Sequence, residues 1–178
     1  MYIVESVFEY KDYCCVTIFG DMGWRCGYVG LPVGHALYGK DCQDNLEITY
    51  KEMEDELRGK RGIVPWFFSC IKKPEDNVGI DFYFNVHGGI TYAGGSERDY
   101  PIKSDLWWLG FDCGHAGDGK DLEKILELWG TNPHIRQRVE IEKEFYLDEP
   151  VRDSEYVQQE CRNLVDQIIE YVDKIKGE

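Results

Sequence analysis

The sequence predicts an α+β fold: a mainly antiparallel sheet with a long C-terminal helix and at least one further helix packed on it. Three observations carry this expectation. Compact apolar runs rich in β-branched and aromatic residues, broken by Gly, Asp and Asn, fill the first two thirds of the chain. The pattern turns helical after Gly117. The last segment carries a continuous apolar stripe at helical spacing.

Taken in order, "YCCVTIFG" and "CGYVGLP" read as short strands, with Asp21, Gly23 and Gly27 punctuating them. "VGHALYGKDCQDN" has the composition of a long loop. "EITYKEMEDELRGKRG" begins ambiguously; Met53 and Leu57 among charges suggest a short surface helix or an extended loop. "GIVPWFFSC" carries Pro65, so an edge strand or entry segment is expected there. "IDFYFNVHGGITYAGG" alternates, with Phe82, Phe84 and Val86 against Tyr83, Asn85 and His87, until Gly88 and Gly89 interrupt it. "WWLGFDC" follows, with Trp107, Leu109, Phe111 and Cys113 on one face. These two strands are expected to pair as a hairpin. Matched apolar faces allow one register with Val86 opposite Cys113, Ile90 opposite Leu109 and Tyr92 opposite Trp107. That register sets His87 opposite Asp112.

Asp118 or Asp121 can cap the next helix, whose face is Leu122, Ile125, Leu126 and Trp129 and whose end is Gly130. "RVEIEKEFYL" alternates again and is expected to be a half-exposed strand. After Pro150, Asp153 or Ser154 can cap a long helix with the face Val157, Cys161, Leu164, Val165, Ile168, Val172 and Ile175. No repeat or linker divides the chain, so residues 1–178 are expected to form one domain.

The 178 residues carry a formal charge of -14, which opposes general nucleic-acid binding and favours a basic protein partner, or serves only solubility. The acidic residues gather at Glu47, Glu52, Glu54, Asp55 and Glu56, and at Glu140, Glu142, Glu144, Asp148 and Glu149. Such rows could imitate phosphates or form a solvated face. "MYIVESVFEY" has no basic segment leading into an apolar run, and no stretch has the length of a membrane span. The seven cysteines lack a CxxC pair. They read as reduced thiols, and a cytoplasmic location is expected.

The sharpest constellation is His87, Asp112, Cys113, His115 and Asp118. Two imidazoles can act as acid and base near neutral pH, and a carboxylate can fix the tautomer of one. Transfer of a phosphodiester by RNA's own 2′-hydroxyl needs such a pair and a cation, for which Arg98, Lys103 and Lys120 are candidates. His87, Asp112 and His115 are therefore the catalytic candidates. Bland roles compete: Asp118 can cap a helix, Cys113 can pack in the core, and His115 lies in a glycine-rich turn. His35 and Asp41, in the glycine-rich loop, are binding candidates together with Cys113 and Asp118. His134 follows "TNP" and reads as an exposed turn residue. No metal-ligand spacing is present, so no cofactor is expected, although a divalent ion on His87, Asp112 and His115 stays open. The glycines do not form a phosphate-binding Walker loop, and no GxSxG occurs.

"GYVGLPVGHALYGKD", "VHGGITYAG", "WWLGFDCGHAGD" and "YVQQECRNLVDQI" together resemble a family of small proteins carried by phages and integrated elements. Its members similarly show a GYV…GHP…G loop, an HGG-[IL]-T motif and a GFDC-[AG]-H motif, in that order. The resemblance covers roughly residues 24 to 170. Ala36 stands where the family pattern has proline. Carried over by position, the shared polar residues are His35, Asp41, His87, Asp112, Cys113, His115 and Asp118. The resemblance implies a mobile-element origin, and small acidic proteins of that origin include anti-CRISPR inhibitors. A Cas9-type effector, which holds its guide RNA and target in a basic channel, would suit the charge. The expected function is thus an anti-defence protein that engages such an effector, in its sharper form by cleaving guide RNA. The alternatives are a stand-alone hydrolase or nucleotide-processing enzyme, and a phage accessory protein whose motifs are structural.

Overall fold

A computed structural model describes residues 1–57, 73–146 and 149–177, with the side chains of 54–57 and 98 outside that description. The expected strand "GIVPWFFSC" falls outside it, as do Leu147 and Asp148. The protein is α+β, as its sequence predicts.

Five antiparallel strands form the main sheet, in the order β1-β2-β3-β7-β6. They are β1 (Tyr2–Tyr10), β2 (Tyr13–Gly20), β3 (Arg25–Leu31), β6 (Tyr92–Gly95) and β7 (Trp107–Asp112). β4 (Asn45–Thr49) and β5 (Asn77–Gly79) make a separate small ladder. The helices are α1 (Tyr50–Leu57), α2 (Ile80–Tyr83), α3 (Leu122–Trp129), α4 (Pro133–Glu142) and α5 (Ser154–Lys176). Thr49 and Glu52 settle the ambiguous start of α1 with a reciprocal capping box: the Thr49 amide donates to Glu52 Oε2 at 2.7 Å, and the Glu52 amide to Thr49 Oγ1 at 3.3 Å.

The pleat of the central strands divides the core. Cys15, Val29, Leu31, Leu109, Phe111 and Cys113 pack under α5. On the opposite face, Val16, Ile18, Tyr28 and Trp108 meet Tyr92, Tyr100, Ile102 and Leu106. Both faces are therefore covered, which is why the central runs are apolar rather than alternating. α5 lays Val157, Cys161, Leu164, Val165, Ile168 and Val172 on the sheet, with Tyr171 also buried. Asp153 caps it and Asp121 caps α3. Phe19 joins the core of α3 and α4 through Ile125, Ile135 and Val139.

Two expected strands do not form as such. Residues 138–146 of "RVEIEKEFYL", the described part, do not form a strand; the first half completes α4. Asn132 accepts from the His134 amide and Pro133 stands in the first turn, so a helix starts before the alternation begins. Ile135 and Val139, four apart, are the buried pair, while Ile141 and Phe145 are exposed. His134 is an exposed first-turn residue of this helix rather than a free turn.

"IDFYFNVH" is also not a strand. Its first residues make α2, and the rest is irregular up to β6. The hairpin with β7 exists only in its second half. Its register sets Tyr92 opposite Gly110 and Gly95 opposite Trp107, so the expected facing of His87 and Asp112 does not occur. Side chains of α5 replace the missing strand partner. The Asn85 amide donates to Gln167 Oε1 (2.7 Å), and the Asn85 carbonyl accepts from Asn163 Nδ2 (3.0 Å) and Gln167 Nε2 (3.1 Å). The His87 amide donates to Glu160 Oε2 at 2.8 Å. A helix offers no backbone donors or acceptors along its side, so polar side chains at one-turn spacing must satisfy this segment.

Candidate functional site

Four segments meet beyond the end of β7. The α5 stripe of Tyr156 and Glu160 holds the chain at His87. The turn after β7 carries His115 and Asp118. The segment leading into α5 contributes Arg152.

Gly88 makes the meeting possible. Its φ is +69°, and a Cβ there would stand 2.0 Å from Cε1 of His115. Only glycine lets that imidazole lie against the backbone beside His87. Gly114 plays the same part below, since its Cβ would stand 1.5 Å from Nε1 of Trp24.

Asp118 is the hub, with a side chain only 4% exposed. Its Oδ2 lies 2.7 Å from His87 Nε2 and accepts the His115 amide at 3.1 Å. Its Oδ1 accepts Arg152 Nε at 2.9 Å. Burial works to raise this carboxyl, but the bonds from His87, Arg152 and the His115 amide outweigh it and hold it below its ordinary range. The ionised carboxylate can only accept, so Nε2 of His87 carries the hydrogen. In the neutral ring, Nδ1 then accepts from the Tyr156 hydroxyl, 3.0 Å away. Burial and neighbouring Glu160 push the Tyr156 phenol up, which keeps it a donor. Arg152 also lies over the Tyr156 ring, 5.0 Å from its centroid.

His115 is placed differently. Its ring centroid is 5.5 Å from that of His87. Its Nδ1 is 3.9 Å from both Asp112 Oδ1 and Asp118 Oδ2, beyond hydrogen-bond range. That nitrogen is shielded from solvent and has no hydrogen-bond partner among the described residues. The side chain as a whole is 37% exposed, so His115 is the member that a ligand can reach. One ring nitrogen from each of His87 and His115 and one oxygen of Asp118 lie within 4.8 Å of one another.

The other expected residues divide. Asp112 borders the cluster but holds the local chain, accepting from Thr91 Oγ1 (2.9 Å) and the Gly114 amide (3.0 Å). Cys113, expected to bind a ligand, is 1% exposed in the core, where burial pushes its thiol well up. His35 and Asp41 do not join the cluster. His35 Nδ1 accepts the Leu37 amide, and its Nε2 meets Tyr13 Oη at 3.2 Å. Burial lowers its pKa, with Lys176 adding to the effect. It therefore sits near the C-terminal end of α5, about 30 Å along that helix from Tyr156. Asp41 is exposed and accepts the Gln43 amide, as a turn residue does.

Of the expected cations, Lys120 is committed elsewhere: it bonds Glu142 at 2.7 Å and lies over the Trp24 ring. Lys103 precedes the far end of β7. The cation in place is Arg152, which the sequence reading missed together with Tyr156 and Glu160. Tyr156, Glu160, Asn163 and Gln167 repeat at 4, 3 and 4 along α5, and this second, polar stripe was visible in "YVQQECRNLVDQ".

No protein-family model matches the chain, and no curated protein or solved structure is significantly similar to it.

Proposed function

We propose that the protein is a mobile-element anti-defence factor that engages a basic, RNA-holding effector of the Cas9 type and cleaves its RNA at the His115 end of the cluster. The observation that supports this reading best is the pairing of a reachable imidazole with a largely buried His87–Asp118 pair that the half-buried Arg152 holds from its other oxygen. In this reading His115 takes the proton of a 2′-hydroxyl. The freed oxygen attacks the adjacent phosphorus, the bond to the 5′-oxygen breaks, and that oxygen takes a proton from water. The products are a 2′,3′-cyclic phosphate and a 5′-hydroxyl. Asp118 stabilises the imidazolium across 3.9 Å. His87 and Tyr156 hold Asp118 in place, and Arg152 supplies positive charge beside the phosphate.

The net charge of -14 supports the choice of partner, because free RNA would be repelled and RNA in a basic channel would not. Glu47, Glu52, Glu140, Glu144 and Glu149 are exposed and available to such a surface.

The test incubates the protein with effector and guide RNA, then follows DNA cleavage and RNA length beside His115→Gln and His87→Gln variants. Loss of DNA cleavage with shortened RNA, both reversed by His115→Gln, is the expected result. Normal DNA cleavage at excess protein would remove the inhibitor reading. RNA cleavage without any effector would favour the stand-alone enzyme instead.

A further inference from the structure

We infer that His87, His115 and Asp118 form a binding site for one divalent transition-metal ion, of the chemistry of zinc, with one coordination position left open. The inference rests on the reading of this cluster as a working site, but not on the reaction assigned to it.

Distances come first. Zinc bonds to imidazole nitrogen and carboxylate oxygen are about 2.0–2.1 Å, so tetrahedral ligand atoms stand about 3.3 Å apart. Here His87 Nε2 and Asp118 Oδ2 are 2.7 Å apart, and His115 Nδ1 and Asp118 Oδ2 are 3.9 Å apart. One pair must open and the other close, each by about 0.6 Å against that spacing. Rotations of the two rings supply that much.

The donors are also of the right kind. Two imidazoles and one carboxylate suit zinc and its neighbours better than calcium or magnesium, which prefer oxygen sets. His115 Nδ1 is the telling atom: it is buried and lacks a partner among the described residues, a cost that a metal would remove. The surroundings fit as well. A ligating histidine usually gives its other ring hydrogen to a fixed acceptor. When Nε2 of His87 takes the metal, its hydrogen sits on Nδ1 and Tyr156 Oη, 3.0 Å away, accepts it. Arg152 occupies Oδ1 of Asp118 and leaves Oδ2 to the metal. The positive charge of Arg152 works against binding, while Asp112, 3.9 Å from His115 Nδ1, works for it. The 37% exposure of His115 gives the ion a path in.

A metal on Nδ1 of His115 leaves the ring hydrogen on Nε2, the nitrogen a substrate can reach, so that nitrogen can no longer take a proton. Zinc therefore suppresses the acid–base cleavage proposed above, and the two properties are read separately. The test titrates the chelator-treated protein with zinc in a calorimeter and follows the imidazole nitrogen resonances of His87 and His115 by NMR. The expected result is one equivalent bound, with both rings shifted. His115→Ala should weaken binding at least about 100-fold, and Tyr156→Phe about 10-fold. Cobalt in place of zinc should give visible absorption bands of a four- or five-coordinate site. Absence of saturable binding would overturn the proposal, as would unchanged affinity in a folded His115→Ala variant. If that variant does not fold, unshifted His87 and His115 resonances in the wild-type protein overturn it equally. Zinc binding together with no RNA cleavage by the zinc-free protein leaves the metal site standing and removes the nuclease reading. Cleavage without zinc binding does the reverse.

Discussion

Asp118 holds the site together because one buried carboxylate answers His87, Arg152 and the His115 amide. Asp118→Asn keeps the shape and removes the charge. The expected cost is about 2 kcal/mol, read from the denaturation midpoint. The pH dependence has a definite sign. The folded carboxyl lies below its ordinary value of 3.8, so its stabilisation is present above that pH. It is lost as pH falls through the lower folded value, and the variant should lack that part of the acid limb. Gly88→Ala tests the other half of the site. Its positive φ and the contact with His115 predict a loss of about 1–3 kcal/mol and a displaced His115 ring. The change would be visible in the ring's NMR shifts. At this scale the sequence supplied the residues but not the pairing. Asp118 and Asp121 compete for the helix cap in any reading of "DGKD". Asp121 takes it, and this frees Asp118 for His87. Nothing in the local pattern decides that, because the partners of the two carboxylates, Arg25 for Asp121 and Arg152 for Asp118, arrive from other segments.

At the scale of elements, the long helix α5 does two jobs with two stripes. The apolar stripe, legible as a helix face, packs on the sheet. The polar stripe carries the segment before β6 as a strand neighbour would. Gln167→Ala should therefore speed hydrogen exchange at the Asn85 amide while leaving the β7 amides protected, as measured residue by residue. The same stripe explains why the hairpin was legible only in part. Alternation in "DFYFNVH" satisfies a strand pattern, but it equally places Phe84 and Val86 in the core from an irregular chain. Period-two spacing reports burial on one side and does not say whether the backbone partner is a strand or side chains. "RVEIEK" misleads for a related reason. Its alternating apolar residues are not all buried, and the Asn132–Pro133 start decides for helix. α3 and α5 were legible because cap, period and stop agree in each.

At the scale of the molecule, the α+β architecture followed from composition and period, whereas the site followed from long-range docking of α5 and the Arg152 segment. His35 belongs to this scale too, since it ties the loop between β3 and β4 to Tyr13 near the far end of α5. Its pKa lies below the ordinary imidazole value of 6.5 in the folded protein. Above that pH the ring is neutral in both states. Below it the unfolded chain takes the proton first, so stability falls until the folded ring is protonated as well. His35→Gln should flatten the thermal midpoint against pH just below 6.5 without changing the His115 site. The acidic surface predicts a partner affinity that weakens as salt rises from low to physiological strength, read by titration at several salt concentrations.

The central claim is that His115 performs chemistry on RNA held by a basic effector. Mass spectrometry of the guide RNA recovered from the effector, after incubation with the protein, tests it most directly. The account predicts fragments ending in a 2′,3′-cyclic phosphate with wild-type protein and full-length RNA with His115→Gln. Full-length RNA in both samples, with the effector bound, would contradict it.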